Sequence, residues 1–131
     1  MSSDPIADML CKIVNASYVR SERVDIPASK IKERISRLLQ NEGFIKSYKL
    51  IEDRKQGILR VYLKYGPRNE MVVSGAKRTS KPGLRKYIKA GEVPVIQGGF
   101  GLVIVSTPKG LMSGKEAKTQ KIGGELLCYI W

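Results

Sequence analysis

The sequence predicts an α+β protein of two small packed domains. One is an N-terminal α-β-α-β-β unit over residues 1–66, and the other a mostly β unit over 67–131 with one short helix. Three observations predict it. Two segments early in the chain place apolar residues at helical spacing. Two alternating segments flank the polar stretch EDRKQG in the manner of a hairpin. After Gly66-Pro67-Arg68-Asn69 the texture changes to short apolar stretches separated by glycine- and proline-bearing turns, so the boundary is drawn there.

The elements follow in order. Asp4-Pro5 is an N-cap followed by proline at the first helical position, where its missing N–H is harmless. Ile6, Met9, Leu10, Ile13 and Ser17 mark one face of a helix ending near Ser17. Val24 to Pro27 reads as a short strand. From Ser29 the segment KIKERISRLLQNEG reads as a second helix, with Ile31, Ile35, Leu38 and Leu39 inward and Gly43 as its stop. FIKSYKLI and ILRVYLKY form the hairpin; in the latter Leu59, Val61, Leu63 and Tyr65 alternate with Ile58, Arg60, Tyr62 and Lys64. The second half holds MVVSG, KYIKAG, VPVI, GLVIVS and ELLCYIW, with a helix over Ser113 to Gln120 before the last strand. There is no internal repeat and no low-complexity segment.

Charge is the strongest functional signal. The 131 residues carry 24 Lys and Arg against 12 Asp and Glu, a net +12. Such an excess favours polyanionic partners, nucleic acid first and an anionic membrane surface second. It is unevenly placed: Lys77 to Lys89 contains six cations (Lys77, Arg78, Lys81, Arg85, Lys86, Lys89) and no acid. Tyr87 lies in the same run, after a Ser80-Lys81-Pro82-Gly83 turn, so phosphate-binding cations stand beside an aromatic face suited to a base or ribose. No apolar run approaches the ~20 residues needed to cross a bilayer. The N-terminal MSSDPIADML carries two acids and no basic region, unlike a signal or transit peptide, so a cytosolic chain is expected.

The composition narrows the chemistry. There is no histidine, and Cys11 and Cys128 stand far apart, so zinc, haem and histidine-based triads lack their parts. Both cysteines are expected to be small buried core residues. The stretch STPKGLMSGKEA, after the strand-like GLVIVS, has the outline of a phosphate loop. A nucleotide-binding loop needs four residues between its glycines and a Ser or Thr after its lysine. Gly110 and Gly114 are separated by three, and Glu116 follows Lys115. Ser113 and Glu116 read instead as a capping box, with Ser113 accepting from the Glu116 N–H and the Glu116 side chain reaching back. Leu111 and Met112 are then packing residues. That leaves Ser106, Thr107, Lys109 and Gly110, with Pro108 stiffening the turn, to grip a sugar-phosphate backbone. Gly123-Gly124-Glu125 precedes the final strand. Beside the first loop, its glycines would let RNA approach closely. Glu125 would accept from a base amino group or a ribose hydroxyl, or else be a salt-bridged rim residue.

At these residues the chain resembles the bacterial-type eighth protein family of the small ribosomal subunit. SDPIADML, DIPASKIKERI, GGFGLVIVSTPKG and IGGELLCYIW are similar to family landmarks, in order and essentially end to end. The resemblance implies a non-catalytic structural constituent of the small subunit, a primary binder that stabilises the central domain of 16S rRNA during assembly. It implies RNA contacts at Ser106, Thr107, Lys109, Gly110, Gly123, Gly124 and Glu125, with Tyr87, Arg85 and Lys86 in addition. Asp4, Pro5 and Lys30 belong to matching N-terminal motifs beside neighbouring rRNA. Other small-subunit proteins are the implied neighbours, and no cofactor, metal, membrane or small-molecule substrate is implied. The location implied is the ribosome of the cytoplasm or of a plastid. Pro108 stands where many members have serine, and Ser113-Gly114-Lys115-Glu116 where the family often has Thr-Asp-Arg/Lys-Glu. Three other readings use the same features: a translational repressor binding a messenger mimic of the rRNA site, a generic basic RNA- or membrane-binding adaptor, and a nucleotide-dependent or RNA-modifying enzyme.

Overall fold

A computed structural model describes residues 4–131. Helix α1 spans Pro5–Tyr18, and the Asp4 carboxylate caps it by accepting from the Ala7 N–H at 3.3 Å. Ile6, Met9, Leu10, Ile13, Ala16 and Ser17 form its buried face. Its C-terminus is closed by Arg20, whose backbone is left-handed (φ 58°) and whose guanidinium donates to the Ser17 and Tyr18 carbonyls. A cation against the last carbonyls also complements the helix dipole.

Strand β1 (Arg23–Pro27) leads into α2 (Lys30–Asn41), capped by Ser29. The inward face of α2 differs from the sequence expectation. It is Lys32, Ile35, Ser36 and Leu39, whereas Ile31 is 37% exposed and Leu38 half-buried. The observed face has the spacing i, i+3, i+4, i+7; Ile35 and Leu39 stay on it, while Lys32 and Ser36 take the places expected of Ile31 and Leu38. Lys32 can turn inward because its ammonium donates to the Pro27 carbonyl at 3.0 Å, and Ser36 because its hydroxyl donates to the Lys32 carbonyl.

Strands β2 (Ile45–Ile51) and β3 (Ile58–Leu63) form the expected hairpin, and β3 is the middle strand of an antiparallel sheet ordered β1-β3-β2. Leu59, Val61 and Leu63 point into the core, as their alternation requires. The second sheet contains β4 (Ala76–Arg78), β5 (Tyr87–Ile88), β6 (Leu102–Thr107), β7 (Gly110–Ser113) and β8 (Gly124–Ile130). Its order is β4-β8-β6-β7, with β5 pairing the start of β8 on the β4 side. Helix α3 (Gly114–Thr119) connects β7 towards β8. The VPVI segment stays irregular, since Pro94 has no N–H to offer a ladder.

One apolar cluster runs through both sheets. It joins Met9 and Ile13 of α1, Ile35 and Leu39 of α2, and Leu59 and Val61 of β3 to Ile104, Cys128 and Ile130 of the second sheet. The opposite faces of β6 and β8 bury Val103, Val105 and Leu126 in a smaller cluster against Ile88, Val93 and Ile96. Burial on both faces explains why GLVIVS is a continuous apolar run rather than an alternating one. Cys128 lies fully inside, and burial pushes its thiol up to about 12. Cys11, expected inside, is exposed on α1 and faces Asn15 one turn on.

Candidate nucleic-acid interface

Strand β6 runs to Thr107 and β7 starts at Gly110, so Pro108 and Lys109 are the two-residue tip of a hairpin. A tip this tight needs a left-handed residue, and Gly110 supplies it at φ 111°. Thr107 locks the tip from within. Its hydroxyl accepts from the Lys109 N–H at 3.1 Å and donates to the Gly110 carbonyl at 2.8 Å. Thr107 is thus a buried turn-former, while Pro108 and Lys109 are presented to solvent. The stretch with the outline of a phosphate loop is thus a tight β-turn, with Leu111 and Met112 continuing as β7.

Gly124 begins β8 directly beside this hairpin, with Gly123 just before it. Ser106 pairs with Glu125 across β6 and β8, and Tyr87 pairs with Glu125 across β5 and β8. Directly opposed residues share a face with Cβ atoms ~5 Å apart. Tyr87, Glu125 and Ser106 therefore form one row across three strands, with Lys109 at the hairpin tip beyond Ser106. The glycines have a reason internal to the protein. A Cβ on Gly124 would sit 2.2 Å from the Ser106 carbonyl oxygen, and one on Gly123 would sit 2.3 Å from the Ile88 carbonyl oxygen. They let the start of β8 thread between two backbones.

Electrostatics shape the other end of the row. The turn between β4 and β5 is closed on itself by reciprocal backbone bonds between Lys81 and Leu84. Arg85, Lys86 and Tyr87 are exposed, Tyr87 at 72%. Glu125 accepts from Arg85 Nη1 at 3.0 Å and from the hydroxyl of Ser80, a residue with 0% exposure. Its carboxylate is engaged within the protein, in line with the salt-bridged alternative. Ser80 precedes the Pro-Gly turn inside the cationic run. Its short hydroxyl was the available signal, although composition alone gave it no task.

The N-terminal residues play a different structural part. Asp4 caps α1 and pairs with Arg78 of β4 at 3.1 Å, with both side chains largely buried. Pro5 opens the helix. Together they fasten α1 to the second sheet. Lys30 stands exposed at the start of α2, in the layer of the first sheet and outside the row. The capping box is half formed: Ser113 accepts from the Glu116 N–H at 3.2 Å, whereas the Glu116 carboxylate turns forward and accepts from Gln120 at 2.6 Å.

The arrangement offers a hydroxyl, exposed cations and an aromatic face along one edge. Residues 4–131 match the family described as Ribosomal protein S8. The chain belongs to the ribosomal protein S8 family. It is 57% identical over 129 residues to a protein of Halalkalibacterium halodurans named small ribosomal subunit protein uS8, covering 98% of each chain. Proteins of the same name from Moorella thermoacetica (55%, 98% of this chain and 99% of the relative) and Geobacillus kaustophilus (56%, 98% of each) are similar over the same length. The family resemblance read from the sequence is thereby shown. Membership makes this a structural, non-enzymatic ribosomal protein, which removes the enzyme reading. Among the described residues no helix is long and apolar enough to cross a membrane.

Proposed function

We propose that the chain is a constituent of the small ribosomal subunit that binds and stabilises the central domain of 16S rRNA during assembly, in the cytoplasmic ribosome, among other small-subunit proteins. The observation that carries this reading is the row Tyr87–Glu125–Ser106, with Lys109 at the hairpin tip that follows Ser106 and with Arg85 and Lys86 just before Tyr87 in the chain. Lys109, Arg85 and Lys86 meet phosphates and release counterions. Tyr87 offers its exposed ring to a base or ribose, and Ser106 its hydroxyl to a sugar or base edge. Gly110, where an added Cβ would meet open space, keeps the surface beside it low so that a strand can lie close to the backbone, while Gly123 and Gly124 serve the site by letting the start of β8 pack between β5 and β6. Thr107 acts by fixing the hairpin tip, and Glu125 both edges the site and holds Arg85. Lys30, exposed at the start of α2, and the Asp4-Pro5 corner form a secondary contact for adjoining rRNA. Specificity on this surface comes from RNA shape and from unpaired bases, because an A-form major groove is too narrow to be read by side chains.

The test is a titration against a central-domain fragment and a length-matched duplex at two salt concentrations. The expected result is a preference of roughly a hundredfold for the fragment, about 2.7 kcal/mol, that Ser106→Ala reduces without changing the salt slope. Equal binding to both RNAs, fading together with salt, would overturn the reading in favour of a generic basic adaptor.

A further inference from the structure

The cationic turn between β4 and β5 poses a physical problem. Residues 81–87 are all exposed, Leu84 at 60%, so no apolar side chain anchors them. Three cations, Lys81, Arg85 and Lys86, repel one another within six positions. A short exposed segment with like charges and no buried contact should be mobile. A binding surface made from it would incur an ordering cost on each association.

Ser80 answers that problem. Its hydroxyl donates to the Glu125 carboxylate and accepts from the Lys86 N–H at 3.1 Å. Its own N–H donates to the Leu126 carbonyl at 3.1 Å, and the Leu126 N–H donates to the Lys86 carbonyl at 2.9 Å. Both ends of the turn are thereby fixed to the first residues of β8. Glu125 adds the ion pair to Arg85, which offsets part of the local repulsion.

We propose that Ser80 is a positioning residue for RNA binding: buried beneath the turn, it latches Lys86 and Glu125 together so that Arg85 and Tyr87 are presented in one fixed arrangement. This rests on the RNA-binding reading above and adds to it a residue that touches no RNA. A ligand that matches the arrangement is an irregular RNA backbone, with a phosphate at the Arg85 guanidinium and an unstacked base or ribose at Tyr87. Glu125 then acts on the RNA mainly through Arg85. Removing the hydroxyl strands the Lys86 donor and one acceptor site of Glu125, and leaves the turn tied to β8 by two backbone bonds and the Arg85 ion pair, so that it loosens.

The experiment has one arm without RNA and one with it. In the first, amide hydrogen exchange is followed residue by residue in the full chain, wild type against Ser80→Ala. The latch requires faster exchange at Lys86 and Leu126, with β6 and β3 amides unchanged; unchanged exchange at Lys86 and Leu126 overturns it. In the second, affinity for the central-domain fragment is measured for Ser80→Ala, Arg85→Ala and the double variant. Ser80→Ala should lose about tenfold, and Arg85→Ala should lose much less in the Ser80→Ala background than alone. An undiminished Arg85→Ala effect in that background overturns the latch even where the RNA-binding reading holds. A wild type that does not distinguish the fragment from the duplex overturns the RNA-binding reading itself. If Ser80→Ala does not fold, Glu125→Gln serves in its place. It keeps an acceptor for Ser80 and removes the charge that holds Arg85, so Lys86 should exchange as in wild type while the Arg85→Ala effect shrinks. Failure of either result overturns the latch.

Discussion

Gly124→Ala separates two reasons for a glycine beside the candidate nucleic-acid surface. One is that RNA approaches the backbone there; the other is that the protein's own strands do. The added Cβ would lie 2.2 Å from the Ser106 carbonyl oxygen, 2.9 Å from its carbonyl carbon and 3.0 Å from Thr107 Cα. All three are backbone atoms, so no side chain can rotate away, and β6 must separate from β8 by about 1 Å to restore normal contact. Gly124 is not left-handed, so alanine is free of backbone strain and gains about 0.4–1 kcal/mol from a less flexible unfolded chain. Overpacking costs about 1–3 kcal/mol, with rigid backbone at the upper end. The expected net loss is about 2 kcal/mol, or roughly 8 °C in melting temperature for a domain of this size. Thermal unfolding followed by far-UV circular dichroism, without RNA, measures it. A variant that melts like wild type yet binds RNA poorly would refute the packing argument and show that the glycine is reserved for the ligand.

Other expectations follow from the same structure. Lys109→Ala, at an exposed hairpin tip, should leave the melting temperature unchanged, weaken binding to the fragment and the duplex alike, and reduce the salt slope by about one; an unchanged slope would remove Lys109 from the phosphate contacts. Ile104→Ala, at 0% exposure, should cost about 2–5 kcal/mol in a denaturant melt. Because that residue shares one cluster with α1 and β3, a chain of residues 67–131 alone should show no cooperative unfolding; a sharp transition would mean that the halves are independent. In folded protein a thiol reagent should modify Cys11 quickly and leave Cys128 untouched, since burial raises the Cys128 thiol to about 12; equal labelling would contradict the packing of β8. The hydrogen bond from Arg60 holds the Asp25 carboxyl below its ordinary value, so this pair stabilises the fold above the unfolded carboxyl's 3.8 and the contribution is lost as pH falls through the lower folded value. With Asp25 43% exposed, screening limits Asp25→Asn to under about 1 kcal/mol near neutrality and to nothing in strong acid; a loss that persists in acid would point to packing instead.

The fold was legible where a local rule and a tertiary demand coincide. Asp4, Ser29 and Ser113 each cap a helix because a short acceptor before an apolar-periodic run has few better partners. The alternation of β3 reports a sheet with one buried face. The sequence misleads where one side chain can serve two environments. Lys32 looks like a solvent residue and Ile31 like a core one, yet a lysine stem packs well when a carbonyl such as that of Pro27 receives its ammonium. Cys11 fits an apolar pattern and lies outside it, because the buried arc of α1 is set by where β1 and β4 pack against it.

The candidate interface was legible as composition and hidden as topology. Cations, hydroxyls and glycines named the segments, but nothing in the spacing of Tyr87, Ser106 and Glu125 says that they share a row. That follows from β8 lying between β5 and β6, a pairing made across distant parts of the chain. The same topology reassigns roles within the candidate set. Thr107 and Glu125 look from the sequence like groups that face RNA. In the fold each first satisfies the protein: Thr107 closes the hairpin tip, and Glu125 joins Ser80 and Arg85. On the proposed RNA-binding reading, a surface assembled this way enters binding with its turn and its guanidinium already placed, so the ordering cost that weakens flexible basic segments is reduced before RNA arrives. What distinguishes this surface from an ordinary basic patch is therefore the carboxylate and the buried hydroxyl beneath it as much as its net charge.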